Sequence, residues 1–116
     1  MRTSEHKLNS SLKKQIVKTF TQAVTDLKDY QETETFIKDF FTMAETETFA
    51  KRLAIAYWLK KKRSYTNIRN NLKVSSATIA EVSSLMKQKG FILILKKIEA
   101  EEWASKWNKK IKRFIK

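Results

Sequence analysis

The sequence predicts an all-α fold of five to six helices, and three observations predict it. The 116 residues contain one glycine and no proline. Sheets joined by tight turns need many such residues, whereas helices joined by short polar turns need few. Apolar residues recur at spacings of three and four, the signature of helices with one buried stripe. Polar residues suited to capping stand ahead of several of these segments. With 41% hydrophobic residues, one packed domain is expected, since the chain is too short for two cores.

The elements follow in order. Residues 1–9 read as a frayed arm. Leu12, Ile16, Phe20, Ala23 and Leu27 form the stripe of a first helix over roughly Ser10–Asp29. A second, over about Thr33–Phe41, presents Phe36, Ile37, Phe40 and Phe41 to the core. Thr42 and Glu45 have capping-box spacing at the head of a third helix, about Met43–Lys61. Glu45 and Glu47 suit the positive end of its dipole, and Lys60, Lys61 and Lys62 the negative end. Phe49, Leu53, Ala56 and Tyr57 supply its core face. Ser64 caps a brief helix, Tyr65–Leu72. Lys73-Val74-Ser75 forms a turn, and Ser75 or Ser76 caps the next helix, which runs to about Lys89. Gly90 is then placed as a left-handed helix terminator. Phe91–Leu95 reads either as the start of a helix or as a short strand. Across the tail Phe91–Lys116, Ile94, Ile98, Trp103, Trp107, Ile111 and Phe114 mark an amphipathic basic helix.

Several function classes are excluded. Without cysteine there is no disulfide framework and no thiolate metal site. The single histidine, His6, lies in the polar arm and reads as solvated. No general base, nucleophile or ligand set converges, so neither catalysis nor a metal or cofactor is expected. The longest apolar run, Phe91–Leu95, is far short of the roughly 20 residues that span a bilayer. No charged-then-apolar leader pattern opens the chain, and a soluble, cytoplasmic protein is expected.

The net charge of +13 is unevenly distributed. Residues 1–58 hold nine basic and eight acidic side chains; residues 59–116 hold sixteen and four. A polyanion met by the second half is the natural reading, and on charge alone both nucleic acid and an anionic membrane surface fit.

Spacing favours nucleic acid. Ile68, Leu72, Val74, Ile79 and Val82 fall at the offsets that lock the two helices of a helix-turn-helix, so that the second, recognition helix (about residues 76–89) stands out for the major groove. Two positions depart from the commonest form of the motif: Arg69 replaces a small residue, and Lys73 replaces the glycine that opens the turn. A left-handed Lys73 costs roughly 1 kcal/mol. Ser75, Ser76, Ala77, Thr78 and Ala80 give the recognition helix a short-side-chain face that lets the backbone approach base edges, with hydroxyls for hydrogen bonds and methyls for thymine. Lys60, Lys61, Lys62, Arg63, Arg69, Lys73, Lys87 and Lys89, with the Ser64 and Thr66 hydroxyls, surround that face as phosphate contacts.

The segments Phe40-Phe41-Thr42-Met43-Ala44-Glu45, Ala50-Lys51-Arg52-Leu53-Ala54-Ile55-Ala56, Ser64-Tyr65-Thr66-Asn67-Ile68, Val74-Ser75-Ser76-Ala77-Thr78-Ile79 and Gly90-Phe91 together resemble the Trp repressor superfamily, in particular its small Trp-repressor-like bacterial branch. The resemblance covers about residues 10–95, and residues 96–116 lie outside it. It implies an intertwined homodimer, paired helix-turn-helix heads on double-stranded DNA, and transcriptional regulation. In the tryptophan-sensing branch two arginines sandwich the indole, with a glycine beside the second. Thr42 and Arg52 match the third-helix side of that site. Glu81 stands for the second arginine and Val82 for the glycine, so the corepressor site is degenerate and tryptophan is not expected to bind. A domain over residues 10–95, between the 1–9 arm and the 96–116 helix, is the organisation that follows. The alternative is a module that binds nucleic acid without sequence preference, or an anionic membrane surface, through its lysine-rich C-terminal helix.

Overall fold

A computed structural model describes the backbone of residues 6–114 and the side chains of residues 6–102. It consists of α1 (Ser10–Thr25), α2 (Tyr30–Phe40), α3 (Met43–Lys60), α4 (Tyr65–Leu72), α5 (Ser76–Leu85) and α6 (Lys89–Phe114), with no strand among the described residues. The chain divides into two compact units, Met1–Thr46 and Glu47–Lys116.

In the first unit, the Asn9 side chain caps α1 by accepting from the amides of Ser11 and Leu12 at 2.9 and 3.2 Å. Asp29 caps α2 through the Glu32 amide, and the Glu32 carboxylate accepts from the Lys28 amide in return. These caps move two boundaries from where periodicity puts them. Asp29 belongs to the head of α2, so α1 stops at Thr25 and α2 starts at Tyr30, three residues before Thr33. Phe20 meets Phe36 and Phe40, which stack at 4.9 Å, and Phe41 closes on both edge-on. Yet no residue of α1 or α2 is buried.

The head of α3 is a reciprocal capping box. The Glu45 amide donates to the Thr42 hydroxyl at 3.0 Å, and the Thr42 amide donates to the Glu45 carboxylate at 2.9 Å. The backbone hydrogen bond from Thr42, followed by that of its hydroxyl, lowers the Glu45 pKa below its ordinary value.

The second unit holds the buried core. Ile55 and Ala56 of α3, Ile68 of α4, Ile79 and Val82 of α5, and Leu95 of α6 are at most 3% exposed, and Leu72, Val74, Phe91 and Ile98 pack around them. The Ser64 hydroxyl caps α4 through the Asn67 amide, and Ser75, rather than Ser76, caps α5 through the Thr78 amide.

Two left-handed residues frame α4. Lys62 (φ 67°) ends α3: its amide returns to Leu59 O and the Arg63 amide to Trp58 O, each at 3.0 Å, the paired bonds of a Schellman turn. Lys73 (φ 56°) joins α4 to α5, with its amide on Arg69 O.

The expected glycine terminator is corrected. Gly90 has no positive φ and lies in the first turn of α6. The recognition helix ends at Leu85, not near Lys89, because the Met86 and Gln88 amides turn back to Ser83 and Leu85 in three-residue steps. Lys87 therefore sits in a turn and Lys89 opens α6. Phe91–Leu95 is helical: Leu95 is buried and Phe91 half-buried, four residues apart, while Ile92, Leu93 and Ile94 face outward. Because α6 is continuous, the expected boundary at 95/96 falls inside a helix. The side chains of Trp103, Trp107, Ile111 and Phe114 lie outside the described residues.

Candidate nucleic-acid interface

Helix α5 separates two kinds of residue by periodicity alone. Ile79 and Val82 point inward onto Ile68, whereas Ser75, Ser76, Ala77, Thr78 and Ala80 are exposed. Burying three β-branched side chains at the crossing fixes the angle between α4 and α5 by packing. The exposed face consists of side chains too short to shield its backbone.

Hydrogen bonds already assign part of this face. Ser75 Oγ accepts from the Thr78 amide and lies 2.9 Å from Thr78 Oγ1. Ser76 Oγ accepts from Arg69 Nη1 at 3.0 Å, linking the first residue of α5 to α4.

Lys60, Lys61, Lys62, Arg63, Ser64, Thr66, Arg69, Lys73, Lys87 and Lys89 are all exposed, but they are not equivalent. Lys60 pairs with Glu99 at 3.0 Å and Lys61 with Glu102 at 3.4 Å, both on α6. Lys61 also lies over the Tyr57 ring, whose hydroxyl donates to Glu102. That hydrogen bond, and then burial and the carboxylate's charge, push the Tyr57 pKa up; the charge of Glu102, then Tyr57, raises that of Lys61. The Arg63 guanidinium stacks over Trp58 at 4.2 Å. Exposed pairs of this kind are weak because solvent screens them, so a phosphate can displace them.

Sequence reasoning missed Trp58, Glu99 and Glu102, and it read Tyr57 only as a core residue. Trp58 and Arg63 are five apart across a Schellman turn, a spacing that could have revealed the stack. The glutamate pairings join residues about 40 apart in sequence, and no local pattern encodes them.

A small cavity of about 180 Å³ lies between α3 and α5, lined by Thr48, Lys51, Arg52, Ile55, Val74, Thr78 and Glu81. It brings together Arg52 and Glu81, two of the four residues (Thr42, Arg52, Glu81, Val82) that the family resemblance groups as a degenerate corepressor site. Val82 does not line it and is buried in the core instead. Thr42 is engaged in capping α3. Among the described residues no cluster of three His, Cys, Asp or Glu is placed to hold a metal, and no helix is long and apolar enough to cross a membrane.

The model of the Trp repressor protein family matches residues 15–99, which include the whole of α2 to α5. Neither the curated proteins nor the solved structures contain a match to this chain. With six helices among the described residues, a packed α4–α5 pair and a family match over more than two thirds of its length, the chain belongs to the Trp repressor family of all-α, helix-turn-helix DNA-binding regulators.

Proposed function

We propose that this protein is a sequence-specific regulator of transcription, most simply a repressor, that binds double-stranded DNA as a homodimer and does not respond to tryptophan. One observation carries the reading: the exposed short-side-chain face of Ser75–Ala80 stands on a helix pair locked by Ile68, Ile79 and Val82, with basic side chains around it. Ser76, Ala77, Thr78 and Ala80 read base edges, Ser75 holds the helix start, and Lys62, Arg69, Lys73, Lys87 and Lys89 meet phosphates directly. Lys60, Lys61 and Arg63 do so by exchanging their protein partners for DNA.

Uncovered apolar surface supports the homodimer. Leu12, Ile16, Phe20 and Val24 of α1 are 42–50% exposed, and Phe49, Leu53, Phe91 and Ile94 line an open groove of about 430 Å³ in the second unit. Such surface marks association sites.

The carboxylate of Glu81 argues against tryptophan. An indole sandwich needs two flat cationic faces, and this cavity sets one arginine against a carboxylate that repels a ligand carboxylate. Calorimetric titration with tryptophan is expected to give no saturable heat.

Selection of bound duplexes from a random pool tests the main reading. A roughly palindromic motif is expected, with half-sites about 34–36 Å apart. Thr78→Ala should cost about 1–3 kcal/mol on that motif and little on random DNA. A pool with no enriched motif would sink sequence-specific recognition.

A further inference from the structure

Arg69 occupies a helix-turn-helix position where a small residue is usual, and its contacts give it work to do. Its carbonyl accepts from the amide of left-handed Lys73 at 3.0 Å, and its guanidinium donates to Ser76 Oγ at 3.0 Å. One residue of α4 thus closes the turn by its backbone and grips the first residue of α5 by its side chain.

The chemistry of that grip is directional. A guanidinium only donates, so the Ser76 oxygen must accept. A hydroxyl that accepts from a cation becomes a better donor and a poorer acceptor, because hydrogen bonds in a chain polarise one another. Ser75 differs, since its oxygen accepts from the Thr78 amide and the Thr78 hydroxyl oxygen, 2.9 Å away, can take its proton. Of the two serines, Ser76 is the one poised to donate outward.

From this geometry we infer that Arg69 is a specificity-determining positioning residue, which orients the Ser76 hydroxyl as a donor toward an acceptor on a major-groove base edge (purine N7, guanine O6 or thymine O4). The inference rests on the proposed DNA reading and adds to it. Arg69 acts on base choice through Ser76, beyond any phosphate it meets. Each base pair presents both acceptors and one amino group along its edge, so pairs that place an adenine or cytosine amino group opposite Ser76 are disfavoured.

Arg69→Lys separates the two roles, because lysine keeps the charge and loses the planar fork. Affinities for the selected duplex and for a random duplex are measured over a salt series for wild type, R69K, S76A and the double variant, with thermal midpoints alongside. R69K reports the phosphate contact of Arg69 as the change on the random duplex, and its action through Ser76 as the change in the selected-to-random ratio. It should lower the ratio of selected to random binding by about three- to tenfold, the worth of one hydrogen bond. The double variant should lose no more discrimination than S76A alone, since both remove one contact. The inference is overturned if R69K keeps the wild-type ratio, if the two losses multiply, or if R69K weakens both duplexes alike while its midpoint falls. A wild-type protein with no preference for any duplex would overturn the DNA reading itself, and is told apart from these results by the wild-type ratio alone.

Discussion

Lys62 and Lys73 hold backbone conformations that suit glycine, with φ of 67° and 56°. A side chain there costs about 1 kcal/mol, part of which glycine would return as extra freedom of the unfolded chain. Both positions are exposed, so the lysine side chains gain little packing in exchange. Their value is best sought in their charge beside the helix-turn-helix. Lys73→Gly is therefore expected to raise stability by about 0.5–1 kcal/mol in urea denaturation while weakening duplex binding on all sequences alike. A Lys73→Gly protein no more stable than wild type would show that the turn is unstrained. Under the proposed function, folding stability and DNA affinity pull against each other at this residue.

Helices α3 and α6 are joined by Lys60–Glu99, Lys61–Glu102 and the Tyr57–Glu102 hydrogen bond. This junction makes stability depend on alkaline pH. Tyr57 has a raised pKa when folded, so the unfolded chain loses that proton first, and the contribution falls as pH rises above about 10. Lys61 is also raised: its contribution is complete below its unfolded pKa of about 10.4 and is lost as pH climbs through the folded value. The two effects have the same sign. Tyr57→Phe should flatten the decline of the denaturation midpoint above about pH 10, and superimposable wild-type and variant profiles would refute this account. The junction also marks the limit of what sequence conveyed. Helix α4 could be read from Ser64 to Leu72 because its cap and stripe are local, and the Lys73 turn because the apolar offsets require it. Gly90 misled because residue type alone does not reveal whether a new helix starts one residue earlier. The face of Ser75–Ala80 was legible from spacing. The Arg69–Ser76 and Lys–Glu pairings were not, because they depend on rotamers and on helices distant in sequence.

For the whole molecule, charge and uncovered apolar surface point to one assembly. Nearly all of the +13 lies in residues 59–116, which contain α4, α5 and α6, whereas α1 contributes an unburied apolar stripe. In the proposed function the charge serves DNA and the stripe serves self-association. Sedimentation equilibrium should give a dimer at micromolar concentration, and a monomer there would defeat the proposal. If three to five of the eight named cations of each subunit rest on phosphates at one time, the log–log salt dependence of the dimer should have a slope of about −5 to −9. A slope near −2 would exclude the broad phosphate contact proposed for the helix-turn-helix flanks.

Trp58 lies beneath Arg63 at 4.2 Å, which makes it a built-in optical reporter. Indole emission responds to a cation on its face, so a guanidinium that leaves the ring for a phosphate changes the light the protein gives out. The chain has two other tryptophans, Trp103 and Trp107, and replacing both with phenylalanine would isolate the signal. DNA engagement could then be followed in real time on an otherwise unlabelled protein, with Arg63→Lys as the control that mutes the response.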